Sequence, residues 1–265
     1  MGIIIKTLEE IEILREGGKH LATVLYKVKE KVVPGVSTKD LDLYAEKLIR
    51  ELGDTPAFLN YRPAGAKTPF PASLCVSVND EVVHGIPSKK RILKEGDIIS
   101  VDCGTYMEGF YGDTAYTFMV GNVKPEIVNL LETTKESLFK GIENAIEGKR
   151  TGDIGYAVQF HAEQAGYSVV REMVGHGLGK DMHEAPEVPN YGKRGRGVKL
   201  AEGLVLCIEP MINLGSKFIK QDSDGWTIRT LDGKPSAHYE LAVVIRKDKA
   251  EILSTFKYIE EVLNG

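Results

Sequence analysis

Five residues able to hold a metal ion stand in or beside runs that are otherwise apolar: Asp102, Asp113, His176, Glu209 and Glu240. Asp102 lies in residues 98–104 and Asp113 in residues 111–118, and both stretches read as strands. Glu108-Gly109 between them reads as a two-residue hairpin turn, because a glycine in the second place takes positive φ without strain. That turn sets Asp102 opposite Ala115 and Asp113 opposite Gly104. Residues two apart on a strand share a face, so the two carboxylates lie diagonally on one face, with backbones roughly 7–8 Å apart. A three-residue turn would break this parity. Glu209 sits near the end of the apolar run 204–210, and Glu240 is the acid of the strand-like run 236–245. His176 is bracketed by Gly175 and Gly177, and His183 follows in the same glycine-rich stretch. Buried like charges are costly unless a cation or a proton compensates them. Four carboxylates and one imidazole make an oxygen-rich donor set with one nitrogen, which suits Mn2+, Fe2+, Co2+ or Zn2+. Their negative charge exceeds what one divalent ion balances, which argues for two adjacent ions. The residues alone lead to a dinuclear hydrolase site of unspecified substrate.

Such a site needs sheets to carry it. Strand-like segments fill about 73–120 and about 168–257, and a pair of helices precedes each block. The first helix starts at Thr7, where Thr7 and Glu10 form a capping-box pattern before Ile11, Leu14, Leu21 and Leu25. It ends near Pro34-Gly35. The second opens at Ser37, with Asp40 in its first turn, and stops at Gly53. The other pair is expected at about 125–147 and 153–165. A shift of 113 brings Gly35 onto Gly148, Thr38 onto Thr151, Asp40 onto Asp153 and Gly53 onto Gly166. The order of helices then strands, met twice, predicts an α+β protein with a single domain over 1–265, built from repeats of about 1–123 and 124–265. A site between two such halves is natural.

Bulk properties narrow the function classes. A chain of 265 residues buries a sizeable core. Its net charge of -4 argues against long-range attraction to nucleic acid. No apolar run is long enough to span a bilayer, so no membrane partner is expected. The start, Met1-Gly2-Ile3-Ile4-Ile5-Lys6, lacks the layout of a secretory signal, and a cytoplasmic location is expected. Cys75, Cys103 and Cys207 lie in apolar, widely spaced runs and read as buried reduced thiols.

In this order and context the five residues resemble the metal-ligand signature of the type I methionine aminopeptidases. The resemblance is carried by Cys75-Val-Ser-Val-Asn-Asp80 with His84-Gly-Ile-Pro87, by Val101-Asp102, by Gly112-Asp-Thr114, by Gly175-His-Gly177, by His183-Glu184, by Ile208-Glu-Pro-Met211 and by Asp224-Gly-Trp-Thr227. It spans nearly the whole chain, and a match of five ligand types with their local contexts is specific. It implies the duplicated pita-bread fold, antiparallel sheets backed by helices with a dinuclear metal site between the halves. It implies that Asp113 and Glu240 bridge two divalent ions (Co2+, Mn2+, Fe2+ or Zn2+), with Asp102 completing one and His176 and Glu209 the other. A metal-bound hydroxide would attack the scissile carbonyl, Glu209 acting as proton acceptor. His84 and His183 resemble the histidines that contact the substrate and meet the charge that develops. Cys75, Trp226, Tyr61 and Phe70 match the positions of an apolar methionine pocket. The expected activity is removal of initiator methionine from nascent polypeptides ahead of a small second residue, by a monomer in the cytoplasm.

A proline-specific peptidase of the same fold usually carries an extra N-terminal domain, and Asp102 arrives too early for one. A type II methionine aminopeptidase has a large insertion between His176 and Glu209, which are only 33 residues apart here. A metal-free binding protein on this scaffold would lack ligands that this chain has. Three features depart from the family pattern. Residues 62–68 read as an insertion between two pocket segments, Met182 precedes His183 where an aromatic is common, and His238 stands where Gln is frequent. His238 shares a strand face with Glu240. His20 and His161 read as ordinary helix residues. Lys193, Arg194, Arg196 and Lys199 form a basic loop whose charge points to ribosome contact.

Overall fold

The computed structural model of the protein describes residues 2–257 and 259. Helix α1 (Leu8–Lys29) begins with the expected capping box. The Thr7 hydroxyl accepts from the Glu10 amide, and the Glu10 carboxylate accepts from the Thr7 amide. Its face of Ile11, Leu14, Leu21 and Leu25 is buried. Helix α2 (Thr38–Glu51) is capped by Ser37, whose hydroxyl accepts from the Asp40 amide. Helices α3 (Pro125–Ile142) and α4 (Thr151–Gln164) follow. Helix α3 stops short of the expected 147 because Ile146 forms a parallel bridge with Arg246, which draws the backbone out of the helix.

The two halves repeat in backbone detail. Helices α2 and α4 each have 14 residues, and the shift of 113 superposes their bounds. The Gly35 amide donates to Leu93 O at 2.8 Å and the Gly148 amide to Leu200 O at 3.0 Å. Thr38 N donates to Arg91 O, and Thr151 N to Val198 O, both at 2.9 Å. Each helix pair is thus tied by the same bonds to the segment that leads into its own half of the sheet.

The main sheet has nine antiparallel strands among the described residues. Its path runs Thr55–Pro56, Ile98–Met107, Phe110–Met119, Glu240–Val244, Val205–Ile208, Gly175–Gly177 and Glu184–Val188. Leu74–Val78 also pairs with Ile98–Met107. Glu108 (φ 48°) and Gly109 (φ 88°) are both left-handed, as a two-residue hairpin turn requires. The register then follows: Asp102 faces Ala115, and Gly104 faces Asp113. One face of the sheet packs under the helices around Leu21, Leu25, Ile99, Val101, Leu138 and Leu206. The other face carries the polar row described next. Among the described residues no helix is long and apolar enough to cross a membrane.

Candidate active site

Register builds the site. Cys75 pairs with Asp102, Asp102 with Ala115, and Ala115 with Glu240. Leu241 pairs with Ile208, which brings Glu240 level with Glu209. Paired residues point to the same side of a sheet. One row across five strands therefore collects Cys75, Asp102, Glu240 and Glu209, and Asp113 joins it two residues from Ala115. On the next strand His176 is admitted by its two glycines. A Cβ on Gly175 would stand 2.3 Å from Cys207 O, and one on Gly177 would stand 2.5 Å from Ala185 O. Neither glycine has positive φ, so their role is close approach.

All eleven residues singled out from the sequence line one cavity of about 330 Å³, namely Asp102, Asp113, His176, Glu209, Glu240, His84, His183, Cys75, Trp226, Tyr61 and Phe70. Phe58 and Pro63 complete its wall. The stretch 62–68 does not displace the pocket residues. It closes as a loop whose base is stitched by Phe70 N to Tyr61 O and Asn60 N to Phe70 O, both 2.9 Å. Phe70 meets Trp226 edge-on with ring centroids 5.2 Å apart.

The polar wall is electrostatically unfinished. Asp102 Oδ1, Asp113 Oδ1 and Glu240 Oε1 are buried without a hydrogen-bond partner. Burial, helped by the mutual repulsion of the acids, holds Asp113, Glu209 and Glu240 well above the usual carboxylate range. Burial also lifts Asp102 to about 7, against hydrogen bonds that favour its ionised form. The imidazoles move the other way. Burial and the nearby His183 lower His176 to about 3 and His84 to about 4, and burial lowers His183. His176 Nδ1 lies 2.9 Å from Gly177 O, so it carries the proton and leaves the Nε2 lone pair free. That nitrogen lies 3.6 Å from Glu209 Oε1 and 3.9 Å from Asp113 Oδ2. Orphaned carboxylate oxygens beside a neutral imidazole are what a divalent cation completes, and this donor set fits one.

Four features of the site were not read from the sequence. Cys207, taken as a plain buried thiol, places Sγ within 4.8 Å of ligand atoms of Asp113, His176 and Glu240. Its i+2 relation to Glu209 was the available signal. Tyr61 bonds through its hydroxyl to His183 Nδ1 at 2.7 Å. Lys6, ahead of α1, forms a buried ion pair with Glu184, which also accepts from the Lys180 amide at 2.8 Å and so braces the loop bearing His183. His84 has positive φ, 58°, a conformation uncommon for a residue with a Cβ and frequent at functional sites. The helix histidines lie outside the cavity: His20 pairs with Asp54 at 2.9 Å and His161 with Glu136 at 3.0 Å.

A buried carboxylate–imidazole row at the floor of an apolar pocket, on a sheet backed by duplicated helix pairs, defines a metallohydrolase. The sequence profile of metallopeptidase family M24 matches residues 12–247. The chain is 50% identical over 252 residues to a methionine aminopeptidase of Clostridium acetobutylicum, covering 95% of this chain and 98% of that one. It is 46% identical to methionine aminopeptidase 1 of Bacillus subtilis, covering 95% of this chain and 99% of that one. A crystal structure of methionine aminopeptidase from Rickettsia prowazekii superposes with a TM-score of 0.92 at 38% identity, over 96% of this chain and 100% of that one. The chain belongs to metallopeptidase family M24 and, within it, to the methionine aminopeptidases.

Proposed function

We propose that this aminopeptidase removes initiator methionine from new polypeptides ahead of a small second residue, with two divalent ions held by Asp102, Asp113, His176, Glu209 and Glu240. One observation carries the reading: the acid row and the apolar wall of Cys75, Phe70 and Trp226 share a single cavity. When bound, the ions supply Lewis acidity and lower the pKa of water. The chain's own groups then have distinct tasks. Glu209 takes the proton of the attacking water. The methionine side chain packs its thioether against the Phe70 and Trp226 rings and Cys75. Tyr61 donates to His183 Nδ1, which fixes the tautomer with hydrogen on Nε2, the atom available to the scissile carbonyl oxygen. His84, neutral through burial, offers its ring to the scissile amide. We read the whole chain as one domain whose repeats meet near residues 123 and 124. The repeated bonds of the helix pairs support that reading. The proposed setting is the cytoplasm, as a monomer, on chains emerging from the ribosome.

The deciding assay is methionine release from Met-Ala-Ser and Met-Leu-Ser, run with chelator and with added Mn2+ or Co2+. Metal-dependent cleavage of the alanine peptide alone is expected. Cleavage of an X-Pro peptide instead would reassign the substrate. No hydrolysis of any of them would remove the reading.

Tyr61→Phe is expected to lower kcat about tenfold with little change in KM, about the weight of one hydrogen bond. A raised KM at unchanged kcat would instead make Tyr61 a pocket wall only. Lys193, Arg194, Arg196 and Lys199 are all exposed. Reversing their charge is expected to release the protein from ribosomes at moderate salt, and unchanged co-sedimentation would exclude this contact.

A further inference from the structure

Two imidazoles flank the Glu209 carboxylate. His176 Nε2 stands 3.6 Å from Oε1, and His238 Nε2 stands 3.7 Å from Oε2. The five-ligand set accounts for His176 and not for His238. His238 is 2% exposed and is not among the residues that line the substrate cavity. Its backbone is pinned, with its amide donating to Thr117 Oγ1 at 3.0 Å and its carbonyl accepting from the same hydroxyl at 2.7 Å. Its Nε2 nevertheless has no hydrogen-bond partner. A buried ring nitrogen left idle is costly, and the pinned backbone holds it toward the acids.

Glu209, His238 and Glu240 each offer one ligand atom, and the three atoms lie within 4.8 Å of one another. Metal–nitrogen and metal–oxygen bonds of about 2.0–2.2 Å set neighbouring ligands of a tetrahedral ion about 3.3–3.6 Å apart, and the 3.7 Å between His238 Nε2 and Glu209 Oε2 is close to that spacing. Glu240 also belongs to the group formed with Asp113, His176 and Cys207. The centre thus contains two overlapping donor groups that share Glu240, and each has its own imidazole.

We propose that His238 Nε2 is a sixth protein ligand of this centre, joining Glu209 Oε2 and Glu240 on a divalent ion. The inference rests on the metal reading above. A second imidazole shifts the donor set from oxygen toward nitrogen, which favours Zn2+ or Co2+ over Mn2+ relative to a chain with an amide side chain at this place.

The test is NMR of the full chain carrying nitrogen-labelled histidine and loaded with spin-active cadmium ions. Splitting of ring nitrogens by cadmium in both His176 and His238 is expected. His238→Gln, used for assignment, should keep the His176 splitting and bind Zn2+ about tenfold more weakly at its weakest step. Splitting at His176 alone in the parent chain overturns the proposal whether or not the variant folds. Splitting at neither histidine overturns the metal reading as well, so the two failures are distinguishable.

Discussion

Asp113→Asn is expected to lower kcat/KM for a Met-Ala peptide by at least about 10³-fold, roughly 4 kcal/mol of transition-state stabilisation. The purified variant should also retain less divalent metal than the parent chain. Asp113 is the hub of the site. It lies diagonally from Asp102 on the hairpin, 3.9 Å from His176 Nε2, and it shares a ligand group with Glu240. An amide keeps the shape and removes the charge. The same change should make the metal-free chain more stable, because Glu240 and Asp102 repel the Asp113 carboxylate and burial already disfavours its charge. A substitution that weakens function and strengthens the empty fold is the signature of a site assembled at the expense of stability. Metal analysis and thermal unfolding of both chains in chelator decide the matter. Unchanged metal content, or a less stable metal-free variant, would remove Asp113 from the centre.

What the sequence made legible was local parity, and what it hid was tertiary. The Glu108-Gly109 turn fixed the pairing of Asp102 and Asp113, and the structure repeats that pairing residue for residue. Turn chemistry is a short-range matter, so no knowledge of the rest of the chain was needed. The level of Glu240 against Ala115, and of Glu209 against Glu240, comes instead from pairings between distant strands. Only the family resemblance anticipated that convergence. Cys207 needed one further step, since a residue two before a ligand on the same strand must face the same ion. The Lys6–Glu184 pair joins residues 178 apart and the Tyr61–His183 bond joins residues 122 apart, and no periodicity reports such contacts. The stretch 62–68 read as an insertion because its length was visible and its closure, Phe70 N to Tyr61 O, was not. The overlong α3 has the same origin, a bridge from Ile146 to Arg246 that helix signals cannot register.

Metal is expected to stabilise the protein strongly at pH 8 and hardly at all at pH 5. The reason lies in proton counts. Four carboxyl groups, Asp102, Asp113, Glu209 and Glu240, have folded-state pKa values raised by burial, Asp102 to about 7. Four imidazoles are lowered by burial, with His176 and His238 at about 3, His84 at about 4 and His183 shifted in the same direction. Stability rises with pH only where the unfolded chain binds more protons than the folded one. Between roughly pH 4.5 and 6.5 the folded site holds carboxyl protons while the unfolded chain carries imidazole protons, so the two contributions oppose each other. Above about pH 6.5 the unfolded imidazoles lose their protons, and only the carboxyl contribution remains. The metal-free protein then loses stability as pH rises, by about 1.4 kcal/mol per pH unit for each proton the folded site still holds in excess. Below about pH 4.5 the carboxyls match and the imidazole contribution remains, so stability falls as pH falls. A divalent ion replaces those carboxyl protons, and its competition with them is weakest at high pH. At about 1,000 times its dissociation constant a bound ion contributes about 4 kcal/mol, a gain in Tm of roughly 8–16 °C for a chain of this size. Scanning chelated and Mn2+-loaded protein across this range should show that gain at pH 8 shrinking to less than about 3 °C at pH 5, where protons already occupy the site. Equal gains at both ends would mean that the carboxyls are not protonated in the folded metal-free state, and that some other cation already neutralises the row.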